Sequence, residues 1–60
     1  MTVNQLINKM EYDVKVKVYD VNEDDEPLYE GVCGGVPYEL CDREVTNVHA
    51  GNYFIGIDTD

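Results

Sequence analysis

Between Asp13 and Val21 the chain alternates strictly, with Val14, Val16 and Val18 on one side and Lys15, Lys17 and Tyr19 on the other. A period of two marks a strand half-buried against an apolar layer, so this segment commits the chain to a sheet with two unlike faces. The polar turn Asn22-Glu23-Asp24-Asp25-Glu26-Pro27 follows, and Pro27 keeps the residue before it out of a helix. Leu28 to Cys33 then reads as the return strand of a hairpin. Within it Gly31 marks a bulge or a close backbone approach.

Three more elements are readable around that hairpin. Thr2 and Gln5 have the spacing of a capping box, and Val3, Leu6, Ile7 and Met10 form one helical stripe. A helix so short must lie on something. Gly34-Gly35 breaks the chain, and Pro37 opens a helical turn over Val36 to Cys41, where its missing N–H costs nothing. Glu44 to Ala50 and Tyr53 to Asp58 flank Gly51-Asn52, a two-residue hairpin signal that puts Tyr53, Ile55 and Ile57 on one apolar face. The expected fold is α+β and spans residues 1–60 as one domain. An N-terminal helix packs on a small four-stranded, mainly antiparallel sheet in the order αββ(short α)ββ. The uncovered face is expected to carry Lys15, Lys17, Tyr19 and Tyr29.

Size and charge narrow what such a fold can do. A chain of 60 residues rarely draws more than roughly 3–5 kcal/mol from its core alone. Its hydrophobic fraction of 43% is too high for a disordered acidic tail. Self-association as a two-fold homodimer would supplement the core, provided the interface is apolar and the acids stay at its rim. Cys33 and Cys41 are the other candidate staple, but their spacing is neither a CxxC redox pair nor half of a zinc ribbon. The start, Met-Thr-Val-Asn-Gln-Leu, lacks the charged and apolar regions of an export peptide, so a cytoplasmic location with reduced thiols is expected.

The residues argue against catalysis and against a cofactor. One His, no Ser and no Trp leave few ways to build a nucleophilic site, and His49 has no sequence-level reason to meet Cys33 or Cys41. Asp20, Asn22 and Asp24 match the first, third and fifth positions of a calcium loop. The match then fails, with Asp25 where glycine is needed and Gly31 where a bidentate glutamate is needed. Gly34-Gly35 lacks the following Lys-Ser or Lys-Thr of a phosphate loop. Thirteen acidic residues against four basic ones, a net charge of −9, disfavour direct binding of nucleic acid or of an anionic membrane.

The same surplus favours a basic protein partner. Asp20, Glu23, Asp24, Asp25, Glu26 and Glu30 form a negative ridge that would steer a cationic groove. Tyr19 and Tyr29 would supply the buried contact, since large amphipathic rings suit interface centres. The opening helix Met1 to Met10 and the Val-rich strand ending in Tyr19-Asp20 resemble the small accessory proteins of phages and prophages. That group includes anti-CRISPR proteins and inhibitors of other defence systems such as Hachiman. The resemblance implies a phage-encoded, non-enzymatic inhibitor, homodimeric in its own right, that occludes a host defence protein. The alternative expectation is a structural or assembly module acting through homodimerisation or through another subunit.

Overall fold

A computed structural model describes residues 1–23 and 26–60, so Asp24 and Asp25 of the expected acidic ridge lie outside the described residues. Helix α1 (Val3–Ile7) leads into β1 (Lys15–Asp20) and β2 (Tyr29–Val32). Two 3-10 turns follow, Cys33–Gly35 and Tyr38–Leu40, then β3 (Val45–Ala50) and β4 (Ile55–Thr59). The capping box forms: the Gln5 N–H donates to the Thr2 hydroxyl, and the Thr2 N–H donates to the Gln5 side-chain oxygen. Regular helix stops at Ile7, short of the apolar stripe, yet Met10 still packs on the core.

The sheet is mixed. Its order is β2-β1-β4-β3, with antiparallel pairing of β1 to β2 and of β4 to β3. The seam between these two hairpins is parallel, Val18 lying beside Ile57 and Tyr19 beside Asp58. The crossover after β2 explains this. It carries the chain to the far edge, packing Cys33, Val36 and Leu40 on the core, and the second hairpin then turns back so that β4 lies next to β1. Parallel neighbours need a long crossover of this kind.

Val3, Val16, Val18, Cys33 and Ile57 are the buried core, covered by α1 and the crossover. Cys33 and Cys41 are both free thiols. Among the described residues no helix is long and apolar enough to cross a membrane. The opposite face carries Lys15, Lys17, Tyr19, Glu30, His49 and Asp58, with Lys15, Glu30 and His49 exposed.

Two tyrosines depart from the expected pattern. Tyr29 stands opposite Val18 in the β1–β2 register, which puts it on the core side rather than beside Lys17. Its ring packs on the core, and its hydroxyl donates to the Val32 carbonyl at 2.7 Å. Tyr53, expected on the inner face of β4, is 89% exposed. The connection is longer than Gly51-Asn52: the Gly51 N–H bonds the Phe54 carbonyl, so β4 begins only at Ile55 and Tyr53 stays in the loop. Ile55 and Ile57 keep their inward positions.

Candidate functional site

The parallel seam gathers the C-terminal ends of β1 and β4 at one end of the sheet. There the Val21 N–H bonds the Thr59 carbonyl, and the Asp60 N–H bonds the Glu44 carbonyl just before β3. Tyr19 and Asp58 are register neighbours on the open face. His49 reaches them from β3 because its partner across the ladder is Gly56. The imidazole lies where a side chain at residue 56 would have to stand. From there it stacks on Tyr19, with ring centroids 6.2 Å apart and an interplanar angle of 28°, and places Nε2 3.4 Å from an Asp58 oxygen.

The result is an open hollow of about 410 Å³ lined by Tyr19, Asp20, Val21, Glu23, His49 and Asp58. Its floor is aromatic and its wall is anionic. A neighbouring depression of about 500 Å³ has the opposite character, with Lys15, Lys17, Tyr53 and Phe54 in its lining. There Lys17 sits 4.4 Å from the centre of the Phe54 ring and 3.7 Å from a Glu30 oxygen.

Asp20 is tied inward rather than presented. Its Oδ1 accepts the Asn22 N–H at 2.8 Å, an Asx turn that opens the loop after β1. Its Oδ2 accepts from the Arg43 guanidinium at 2.7 Å. Arg43 also donates through Nε to the Thr59 hydroxyl at 2.9 Å, and that hydroxyl donates to the Tyr19 carbonyl at 2.7 Å. The Asn22 N–H, reinforced by Arg43, holds the Asp20 carboxyl below its ordinary value. A depressed folded-state value means that Asp20 stabilises the fold above the unfolded carboxylate range. That contribution fades as pH falls through the folded value. The stability gap between the wild type and Asp20→Asn is therefore expected to be full at pH 7 and to shrink in acid. Urea denaturation at pH 7, 4 and 2.5 measures it, and a gap constant over that range would contradict the assignment.

Of the residues expected at a partner site, Tyr19, Asp20 and Glu23 meet in the hollow. Glu30 belongs to the neighbouring depression, Glu26 is exposed beyond the undescribed pair, and Tyr29 is committed to the core. His49 and Asp58 complete the hollow from strands distant in sequence. The one local signal of their arrival is Gly56, a mid-strand glycine of the kind that marks close approach.

His49 projects from the open face while Cys33 is buried beneath the other, so the sheet separates imidazole from thiol. The Cys33 thiol donates to the Glu11 carbonyl at 2.9 Å. Among the described residues no three His, Cys, Asp or Glu side chains cluster as a metal site. Comparisons with protein-family models, with curated proteins and with solved structures find no match to this chain.

Proposed function

We propose that this chain is a non-enzymatic protein-binding module whose hollow receives an arginine or lysine side chain of a basic partner. The observation that carries this reading is the union of the Tyr19–His49 stack with the Glu23 and Asp58 carboxylates in one depression. A guanidinium is attracted to an aromatic face and pairs with carboxylates through charge-assisted hydrogen bonds. Asp20 already has its arginine, so Glu23 and Asp58 are the groups left for a visitor. The remaining surplus of acids, part of a net charge of −9, steers a cationic partner toward the surface. The resemblance of the first third of the chain to phage accessory proteins extends the proposal to a host defence protein. In that case the acidic wall would stand in for nucleic-acid phosphates.

Titration of isotopically labelled protein with nona-arginine, followed by NMR, tests the reading. Shifts should concentrate at Tyr19, Glu23, His49 and Asp58, and affinity should fall at least ~10-fold between 0.05 and 0.5 M salt as screening grows. Gly56→Val, which drives the imidazole from its place, and Tyr19→Ala should each weaken binding by about 10-fold, the scale expected for losing a stacked cation. Shifts spread evenly over all the carboxylates, unaffected by either variant, would reduce the acids to a solubilising coat.

A further inference from the structure

The two edges of the sheet are not alike. β2 is short, carries Glu30, and has an outward carbonyl already capped. Cys33 directs its N–H to Val14, so by alternation the Val32 carbonyl points outward, where the Tyr29 hydroxyl caps it at 2.7 Å. Short length, charge and self-capping are ways in which natural sheets keep edges from pairing. β3 has none of these along its second half. Its residues Val-Thr-Asn-Val-His-Ala include no carboxylate, whereas β1, β2 and β4 carry Asp20, Glu30 and Asp58. In a body of net charge −9, this edge is where a second such body meets the least repulsion.

The hydrogen bonding of β3 fixes which groups are on offer. Gly51 directs its N–H inward to Phe54, so the backbone of Ala50 points outward, that of His49 inward and that of Val48 outward again. At the start of the strand the outer side is already taken, the Val45 N–H donating to the Met1 carbonyl and Thr2 bridging Glu44. A bulge between Val45 and Asn47 separates that capped stretch from the rest.

We propose that a second copy of this chain pairs with β3, antiparallel and about a two-fold axis through His49, joining two four-stranded sheets into one. Val48 of each copy exchanges hydrogen bonds with Ala50 of the other, so every outward amide and carbonyl of this stretch is satisfied. No other symmetric register does so. Centring on Val48 would set Ala50 against residue 46 inside the bulge. Each exposed Val48 side chain comes opposite Ala50 of the other copy on the helix side, and the two His49 side chains face each other on the open side. The pairing holds whatever the hollow receives.

Sedimentation velocity on the full chain, from 10 µM to 1 mM and at 0.05 and 0.5 M salt, should show a monomer of 6.8 kDa giving way to its dimer, with added salt favouring the dimer. The amides of Val48 and Ala50 should slow their hydrogen exchange as concentration rises, while those of Gly31 and Tyr53 should not. Ala50→Pro removes an outward N–H from an edge, where proline is tolerated. It should weaken association at least ~10-fold and leave nona-arginine binding unchanged. His49→Lys removes one unit of negative charge yet sets like charges directly opposite, so it too should weaken the dimer. A chain monomeric at 1 mM in 0.5 M salt would overturn the proposal. So would a dimer indifferent to Ala50→Pro, or one strengthened by His49→Lys.

Discussion

Ile57→Ala is expected to leave the chain largely unfolded at 25 °C. Ile57 is fully buried at the centre of β4, one of the two strands with neighbours on both sides, where it lies beside Val18 on β1 and Val48 on β3. Truncating a buried isoleucine to alanine costs about 2–5 kcal/mol, combining the lost transfer free energy with the cavity left behind. A domain of this size holds only about 3–5 kcal/mol in its core. The loss therefore matches the total stability, and in a core of five buried apolar side chains little remains to collapse into the gap. Loss of amide dispersion in the NMR spectrum, together with a urea transition that lacks a folded baseline, is the expected readout. Ile57→Val, which removes one methylene, should cost about 0.5–1.5 kcal/mol and keep a measurable transition. A well-folded Ile57→Ala variant would show that the stability lies elsewhere, with a self-paired β3 edge as the first place to look.

Much of this architecture was legible in the chain because it is written in short-range patterns. The alternation of Val14, Val16 and Val18, the Thr2–Gln5 capping box and the two hairpins each depend on residues within one element or one turn. The parallel seam does not. Whether the second hairpin joins the first through β3 or through β4 depends on where the crossover lays the chain down, which periodicity does not encode. The misplaced tyrosines have different local causes. Starting β4 at Ile55 leaves Tyr53 in the loop, and the register pairing Tyr29 with Val18 turns its ring inward. A slip of one residue exchanges the faces of a strand, so site residues on strands are the least secure part of any reading from sequence. The hollow shows the same limit. Tyr19, Asp20 and Glu23 are adjacent in the chain, whereas His49 and Asp58 join them only through the seam and the space left by Gly56.

The seam also explains why an inconspicuous threonine, Thr59 at the end of β4, should matter. Thr59→Val is expected to destabilise the fold by about 1–3 kcal/mol, the cost of leaving buried hydrogen-bonding groups without their partner. Thr59 is fully buried, and its hydroxyl is the only side-chain link from β4 to both the Tyr19 carbonyl and Arg43 among the described residues. Valine matches its shape and suits a strand, so any loss measures the hydroxyl rather than packing. Thr59→Ser should recover a large part of the stability despite the missing methyl group, and urea denaturation of the three proteins at pH 7 separates these contributions. Local exchange offers a second reading. Without the hydroxyl, the ends of β1 and β4 should open more easily, so the amides of Val21 and Asp60, bonded to Thr59 and Glu44, should exchange faster than those around Val16. The floor of the hollow stands on the same ends, so the nona-arginine affinity of Thr59→Val should fall as well. A variant that binds normally yet unfolds early would instead separate the support of the seam from the geometry of the hollow.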